Sequence, residues 1–365
     1  MNPHFIISEI DDKKLIYWSA ELGGVLEHLK TSEKIIGIVY ANNEYKVIET
    51  DEFFDATKYE TLRNNLTIII DRNLLITARE LYELGYLKTH KHTFFTSLLA
   101  YAIFTDALFD PTIAIYEGGD KNNLSALEDI NRIRIVDNLK FDTILDLLFG
   151  RIQNVTDVDW NEARNKTKEL EKNTVNEDFN KALTLFKENY PYMLKATILL
   201  RIQGLSLYHK IKMFFQWIME EFIIKSDASI FTLYCFYKNG GILKDFNTND
   251  FNRLIHSVKN ATWDVTCISF LKNQAKKKTN RYFLFTTDDK NLLTASKYYF
   301  THDITTVNKL FGSKSDEVNN IIKKMNEMSL SPDRDKLIIE RYNKIDSIIY
   351  SLEKELEQSI STSFK

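Results

Sequence analysis

The chain has 365 residues, of which 44% are hydrophobic and 27% charged, and its net charge is −3. This length and hydrophobic fraction suffice for a large buried core, so extended disorder is not expected. The negative balance excludes a global positive field as the basis of nucleic-acid binding, and any such binding must use a local surface.

Glycine, proline and cysteine usage narrows the class of protein further. The 11 Gly and 4 Pro residues predict long helices rather than many short strands. Cys235 and Cys267 lack the paired spacing of a thiolate metal site and fit a reducing compartment. Acidic residues interrupt the first twenty positions, and polar residues interrupt the apolar stretch 211–224. We therefore predict a cytoplasmic protein that neither carries an export signal nor spans a membrane.

Residues 1–60 are predicted to form a small unit that contains a β-hairpin. A helical pattern around Leu22 to Lys30 precedes two β-rich runs, Ile35 to Ala41 and Tyr45 to Thr50. The pair Asn42-Asn43 lies between these runs, and Asn adopts positive φ at low cost. The pattern therefore predicts a tight turn between two neighbouring strands.

The next segment has the pattern of a strand followed by a helix. The run LTIIID, from Leu66 to Asp71, is continuously apolar until its final acid, as in strands buried on both faces of a parallel sheet. Apolar residues then recur at helical spacing from Leu74 to Leu87, with Gly85 as a stop signal. The apolar stretch from Thr93 to Phe109 predicts a buried helix that ends before Pro111.

The remainder of the chain is predicted to be mostly helical. Residues from about 152 to 228 have the pattern of a helical insertion that Pro191 interrupts, and Ser229 to Tyr237 fits either a helix or a strand. A helical segment, WDVTCISFLKNQ, leads to a basic loop, AKKKTNR, and then to a buried strand from Tyr282 to Asp289. Residues 313–365 form a charged helical tail, suited to binding a partner protein or a second copy of the chain.

Two predicted strands end in acidic residues. Asp71 follows the first buried run, and Asp288 follows the last one. Functional groups of open α/β sheets collect at the carboxyl ends of parallel strands. A carboxylate at such a place is costly unless it is paired, hydrogen-bonded or bound to a metal ion.

These two motifs resemble those of PIN-domain nucleases. The stretch IIIDRNLL, which contains Asp71, is similar to the first motif of that family, and FLFTTDDKNLL, which contains Asp288, is similar to the last. By this resemblance, Glu117 in TIAIYEGGD and Asp264 in ATWDVTCISFL complete the acidic set. Asp264 precedes Asp288 by 24 residues (288 − 264), which is enough for a helix, a loop and a strand.

The resemblance implies a fold, and it leaves two of the acidic positions with alternative residues. It implies a helix-rich α/β protein with a PIN-like Rossmannoid parallel sheet flanked by helices, in which the core spans residues 61–312. The long segment between Glu117 and Asp264 departs from compact members of the family and is treated as an insertion. Glu128 is an alternative to Glu117, and Asp289 is an alternative to Asp288.

The resemblance also implies a chemistry. The four carboxylates would hold one or two Mg²⁺ or Mn²⁺ ions, which prefer hard oxygen ligands. Three polar residues are candidates for orienting ligands or substrate, namely Asn73, Thr286 and Thr287. Lys290 is a candidate phosphate contact, and the basic loop with Lys276 is either a second such contact or a solvated segment.

The function implied is a metal-dependent nuclease that hydrolyses phosphodiester bonds, with RNA favoured over DNA. Free-standing relatives of this kind often act as toxins or anti-phage defence effectors in bacteria. The alternative is a non-catalytic PIN-like protein that binds a partner through its insertion and its tail. A phosphotransfer enzyme has less support, because Asp71 is not followed two residues later by a second Asp.

Overall fold

The described part of the chain is a helix-rich α/β structure with one five-stranded mixed sheet. The computed structural model describes residues 12–54, 59–63, 65–118, 123–170, 178–223, 225–301, 312–329 and 332–362. The strands are β1 (Ile35–Ala41), β2 (Glu44–Ile48), β3 (Leu66–Ile70), β4 (Leu108–Asp110) and β5 (Tyr282–Thr286). Their order across the sheet is β2-β1-β5-β3-β4.

The centre of the sheet is parallel and one side is antiparallel. Strand β3 pairs in parallel with both β4 and β5, while β1 pairs with β5 in the antiparallel direction. All five residues of β3 are buried, as expected for a strand covered on both faces. The predicted parallel sheet is therefore mixed, because the hairpin strand β1 adds to β5 in the opposite direction.

The chain divides into two compact units that are discontinuous in sequence. The first comprises Met1–Val39, Ile48–Thr174 and Asn280–Asp288, and the second comprises Tyr40–Val47, Val175–Thr279 and Asp289–Lys365. The sequence predicted three consecutive segments instead, because its patterns do not report which distant stretches pack together.

The first unit contains most of the sheet and nine helices with described residues. They are α1 (Asp12–Thr31), α2 (Thr50–Phe53), α3 (Tyr59–Leu62), α4 (Arg72–Leu84), α5 (His90–Phe104), α6 (Thr112–Gly118), α7 (Asn123–Asp137), α8 (Phe141–Leu148) and α9 (Asp157–Leu170). Helix α4 ends at Gly85, whose φ of 72° gives the left-handed C-cap predicted for this position. Apolar residues of these helices pack with β3 and β5 into one continuous core.

The second unit is mainly helical. Its described helices are α10 (Asp178–Arg201), α11 (Leu207–Glu221), α12 (Ser226–Tyr237), α13 (Phe251–Lys277), α14 (Lys290–Thr301), α15 (Ser315–Ser329), α16 (Arg334–Asn343) and α17 (Ile345–Thr362). The segment that fits either a helix or a strand is thus helical, as α12. The predicted helical tail is confirmed as α15 to α17.

The predicted hairpin is present. Asn42 and Asn43 have φ values of 54° and 65°, and they connect β1 to β2. Two successive residues with positive φ define a turn whose twist matches that of the flanking strands. Gly37 lies in β1, where an added Cβ would be 2.8 Å from Cδ2 of Phe53, so the absence of a side chain permits the close approach of this ring.

Three element boundaries differ from the prediction. The helix predicted to reach Phe109 ends at Phe104, and Leu108–Asp110 form the edge strand β4. Pro191 lies inside α10 rather than ending a helix. The predicted basic loop is helical as far as Lys277. At Pro191 the neighbours Tyr190, Tyr192 and Met193 are buried, and their packing outweighs the local tendency of proline to end a helix.

Membrane insertion finds no support in the helices. None of those in the described part of the chain combines the length and the apolar character that a transmembrane segment requires. Two apolar helices, α5 and α12, have 15 and 12 residues. Their apolar residues are buried within the protein itself.

Candidate active site

The carboxyl ends of β3 and β5 form the candidate site. These strands are parallel neighbours in which Ile70 pairs with Thr286, so the residues that follow both strands lie at the same edge of the sheet. The backbone amide of Asp71 donates a hydrogen bond of 3.2 Å to the carbonyl of Thr286, which extends this pairing by one residue. Asp71, Thr287 and Asp288 therefore follow neighbouring strands at this edge.

Asp71 is a buried carboxylate that three donors hold in place. It caps the start of α4, where its Oδ1 accepts a hydrogen bond of 3.0 Å from the amide of Leu74. Its Oδ2 accepts hydrogen bonds from the hydroxyl of Thr287 at 2.6 Å and from the side-chain amide of Asn73 at 3.4 Å. The predicted orienting roles of Asn73 and Thr287 thus correspond to direct contacts with this acid.

The environment of Asp71 disfavours its ionised form. Burial raises the pKa of Asp71 above its ordinary value, and the negative charge of Asp288 adds to this effect. The hydrogen bonds from Thr287, Leu74 and Asn73 oppose the rise in pKa because they stabilise the carboxylate. A nearby cation would favour ionisation of this group.

Asp288 is paired with two lysines. The Nζ atom of Lys34 lies 2.7 Å from Oδ1, and that of Lys91 lies 3.3 Å from Oδ2. Burial alone would raise the pKa of Asp288, but the hydrogen bonds and charges of the two lysines outweigh it and hold this pKa below its ordinary value. Asp288 is therefore ionised over a wide pH range.

One oxygen of Asp288 lacks a hydrogen bond. Its Oδ2 is buried and has no hydrogen-bond partner among the described residues, although the Lys91 ammonium lies within ion-pair distance. A buried carboxylate oxygen ordinarily accepts at least one hydrogen bond or binds a cation. The Lys91 ammonium therefore provides the cation at this oxygen, and another positively charged ligand would replace it there.

The sequence did not identify Lys34 and Lys91 as members of the site. Lys34 immediately precedes β1, and its carbonyl accepts a hydrogen bond of 3.0 Å from the amide of Thr287. Its ammonium also lies 4.7 Å from the ring centroid of Phe94, a cation–π contact. Only the antiparallel pairing of β1 with β5 brings Lys34 to this edge, and no local pattern signals that pairing.

Thr286 and Asp289, two other candidate residues, make contacts that stabilise the fold. The hydroxyl of Thr286 donates a hydrogen bond of 3.3 Å to the carbonyl of Ile69, and its side chain is fully buried within the sheet. The side chain of Thr286 in β5 therefore forms a hydrogen bond with the neighbouring strand β3. Asp289 caps α14, where its Oδ1 accepts hydrogen bonds of 2.9 Å and 3.1 Å from the amides of Asn291 and Leu292.

Asp289 and Lys290 belong to the second unit. The second carboxylate oxygen of Asp289 lies 2.9 Å from the ammonium of Lys244, so this acid is engaged both as a cap and in an ion pair. Lys290 is the first residue of α14. Of the two adjacent acids, Asp288 is the one beside Asp71, since its charge contributes to the raised pKa of Asp71.

The two glutamates that compete for the second acidic position differ in exposure. Glu117 is half-buried near the end of α6. Glu128 is exposed on α7, where its carboxylate lies 3.8 Å from Arg132 on the next turn of the same helix. The buried acid of this segment is its neighbour Asp129, which is 5% exposed and accepts a hydrogen bond of 3.0 Å from Arg72. The sequence did not single out Asp129.

Asp264 lies in the middle of α13 in the second unit. It is half-buried. Burial of Cys235 is the main cause that raises the pKa of this thiol to about 12, and the negative charge of Asp264 adds to the rise. Cys235 and Cys267 form no disulfide in the described part of the chain, and both are buried, as expected for cysteines used as small apolar residues.

No group of three or more His, Cys, Asp or Glu side chains among the described residues is arranged to hold a metal ion. The predicted four-acid set is thus represented by one neighbouring pair, Asp71 and Asp288. Mg²⁺ commonly binds one or two carboxylates and completes its shell with water and substrate phosphate, so this pair and the unsatisfied oxygen of Asp288 fit such an ion.

Comparisons with known proteins add no relative. Protein-family models, curated proteins and solved structures each gave no match to this chain. The residues of the site are therefore the basis for proposing a function.

Proposed function

We propose that this chain is a PIN-like, metal-dependent nuclease whose site lies at the carboxyl ends of β3 and β5. The observation that carries the proposal is the buried Asp71 next to Asp288, with an oxygen of Asp288 that accepts no hydrogen bond in the described part of the chain. Lys34 and Lys91 compensate the charge of Asp288, whereas the donors that contact the buried Asp71 are neutral, so ionisation of Asp71 is costly without a further cation. A site for a cationic cofactor accounts for this arrangement.

In this proposal Asp71 and Asp288 hold Mg²⁺ or Mn²⁺. The bound ion would supply an activated water molecule and would stabilise negative charge on the leaving oxygen of a phosphodiester. Glu117 and Asp264 remain the predicted further ligands, on the resemblance to PIN domains alone.

The other side chains of the site orient and balance these acids. The Thr287 hydroxyl and the Asn73 amide, both on Oδ2 of Asp71, direct the remaining lone pairs of this carboxylate. Lys34 and Lys91 neutralise Asp288 before a cofactor binds. Lys91, 59% exposed, can also turn from the acid to a phosphate of the substrate, whereas Lys34 is held by the ring of Phe94.

RNA is the favoured substrate, and a role as a toxin or defence effector follows from the same resemblance. The alternative is a non-catalytic partner-binding protein. Its predicted binding element, the tail helix α17, packs along α10 and is joined to it by an ion pair of 3.2 Å between Lys195 and Glu355. Leu352 and Leu356 of α17 are buried. Because much of the apolar face of α17 is covered within its own unit, the nuclease is the better supported function.

The test is cleavage of labelled single-stranded RNA and DNA with Mn²⁺ and with excess EDTA. We expect cleavage with Mn²⁺ alone, and we expect both Asp71→Asn and Asp288→Asn to abolish it. Glu128→Gln, an exposed acid of the same unit, is the matched control and should cleave like the wild type. Equal cleavage by all four proteins, or cleavage that persists in EDTA, contradicts the proposed site.

A further inference from the structure

The second unit contains a cavity that is separate in sequence from the acidic pair. Its volume is about 380 Å³, which lies within the range of about 300–1,000 Å³ found for small-molecule sites. The hairpin contributes Tyr40 and Tyr45, α13 contributes Lys272 and Lys276, and α14 contributes Phe300. The wall thus combines aromatic rings with ammonium groups.

The three rings of this cavity form a connected cluster. The ring centroids of Tyr40 and Tyr45 are 4.7 Å apart, and those of Tyr45 and Phe300 are 5.7 Å apart, with interplanar angles of 54° and 53°. The hydroxyl of Tyr45 donates a hydrogen bond of 3.1 Å to the carbonyl of Lys272, which fixes the ring against α13. Both tyrosines are half-buried, so their rings reach the cavity while remaining anchored.

The two lysines concentrate positive charge on the same wall. Lys272 and Lys276 are four residues apart on α13, so their side chains lie on one face of the helix. Burial lowers the pKa of Lys272; the negative charge of Asp227 opposes this effect, while the positive charges of Lys225 and Lys276 add to it. Glu44 is the acidic residue of the lining. The Lys272 ammonium lies 5.1 Å from the ring centroid of Tyr299, and with Lys276 and Glu44 it gives the lining a net positive charge that favours an anionic ligand.

We propose that this cavity binds a nucleotide, with the base against the rings of Tyr40 and Tyr45 and the phosphate at Lys272 and Lys276. Every base has a π-face that stacks on aromatic side chains, and adjacent lysines supply the phosphate contact. An aliphatic anion has no aromatic face to stack on these rings, and an organic cation would be repelled by the lysines. The inference goes beyond nuclease activity and does not depend on the acidic pair.

The ligand has two sources, a free nucleotide or the end of a single strand. Calorimetric titration without divalent metal distinguishes them, with AMP, adenosine, ribose 5-phosphate and a ten-residue oligoadenylate as the ligands. We expect AMP to bind at least about tenfold more tightly than adenosine or ribose 5-phosphate, since each of these lacks one of the two contacts. Tighter binding of AMP than of the oligonucleotide assigns the cavity to free nucleotides, and the reverse assigns it to strands.

Substitutions of Lys276 and Tyr45 test the roles of these two residues directly. We expect Lys276→Gln and Tyr45→Leu each to weaken AMP binding at least about fivefold, and Tyr45→Phe, which keeps the ring, to weaken it less. Lys277→Gln is the matched control, because this exposed neighbour on the same helical turn does not line the cavity. Lys276 is exposed, so its substitution should leave the fold intact even if Tyr45→Leu does not.

The proposal is overturned by either of two outcomes. One is the absence of measurable AMP binding to the wild-type protein at millimolar concentration. The other is AMP binding that Lys276→Gln weakens no more than Lys277→Gln. Because the titration contains no divalent metal, an inactive nuclease site alters neither result.

Discussion

The hydroxyl of Thr287 donates a hydrogen bond of 2.6 Å to Oδ2 of Asp71, and this bond joins two residues that are 216 positions apart in the chain. Each residue directly follows one of two parallel strands. The bond therefore couples the end of β5 to the buried acid at the end of β3. This hydrogen bond orients the carboxylate of Asp71 and opposes the rise in its pKa, so it affects the charge state of that acid.

Loss of this bond should impair the site. We expect Thr287→Val, which keeps the shape and removes the hydroxyl, to lower cleavage about 10- to 100-fold and to raise the pKa of Asp71 further. Thr287→Ser restores the hydroxyl and should recover most of the activity. The pH profile of cleavage measures both effects, and a profile identical to that of the wild type contradicts the role of Thr287.

The raised pKa of Asp71 predicts a pH-dependent stability difference. Because the folded-state pKa exceeds the unfolded one, ionised Asp71 destabilises the fold above the folded-state pKa, and this penalty disappears below the unfolded-state pKa. In EDTA at pH 7, Asp71→Asn should therefore melt at a temperature at or above that of the wild type.

The difference between the two melting temperatures should shrink as the pH falls toward the ordinary carboxyl range. Mn²⁺ should then raise the melting temperature of the wild type and leave that of Asp71→Asn unchanged, because only the former binds the ion in its folded state. Calorimetry at several pH values measures these differences. A difference that does not vary with pH would show that desolvation of Asp71 is negligible.

The two lysines at Asp288 should contribute unequally. Lys34 is 27% exposed and 2.7 Å from the carboxylate, whereas Lys91 is 59% exposed and 3.3 Å away. We expect Lys34→Met to lower the free energy of unfolding by about 1–2 kcal/mol at pH 7 and Lys91→Met by less than about 1 kcal/mol. Denaturant titration measures both values.

The effect of Lys34→Met should also depend on pH. The pKa of Asp288 is lowered in the folded state, so its stabilisation is present above the unfolded-state pKa and is lost as the pH falls through the folded-state value. The deficit of Lys34→Met should accordingly vanish in acid. In the Asp288→Asn background Lys34→Met should cost much less, and an undiminished cost there would assign the stabilisation to Phe94.

The two glutamates can be separated by activity. Glu117→Gln is expected to lower cleavage at least about tenfold as a predicted ligand, whereas Glu128→Gln should not change it, because this exposed acid pairs with Arg132 on its own helix. Asp264→Asn tests the remaining predicted ligand in the same assay. Full activity of both Glu117→Gln and Asp264→Asn would limit the metal ligands to Asp71 and Asp288.

Packing at Gly37 gives a prediction for the fold alone. Alanine there would place its Cβ 2.8 Å from the ring of Phe53 and 3.2 Å from the carbonyl of Ile48, so we expect Gly37→Ala to destabilise the protein by about 1–3 kcal/mol. Gly23→Ala, in α1 with no atom near the new Cβ, is the control and should stabilise by about 0.5–1 kcal/mol. Equal effects of the two substitutions would contradict the close packing of Phe53.

Local patterns predicted the elements that local forces determine. The continuous apolar runs before Asp71 and Asp288 correspond to β3 and β5, and the Asn42-Asn43 turn follows from the tolerance of Asn for positive φ. The strand β4 was missed, because three residues after a buried helix carry no strand pattern of their own. The prediction that Pro191 interrupts a helix was wrong, because packing of α10 on α13 keeps α10 continuous across this proline.

The candidate site was predictable only in part, for a related reason. Asp71, Asn73 and Thr287 follow from strand ends and short motifs, which are local signals. Lys34 and Lys91 reach Asp288 through strand order and helix packing, which depend on distant segments. Sequence patterns therefore indicated the acids and omitted the cations that balance them.

The antiparallel pairing of β1 with β5 has a consequence for faithful assembly of the sheet. In the native alignment Ile35 faces Thr286, which leaves Lys34 beside Thr287 and its ammonium on Asp288. A slip by one position that placed Glu33 where Lys34 lies would bring a second negative charge toward Asp288. Electrostatic repulsion would then disfavour this alignment, so the ion pair of Lys34 with Asp288 favours the native register of β1 against β5.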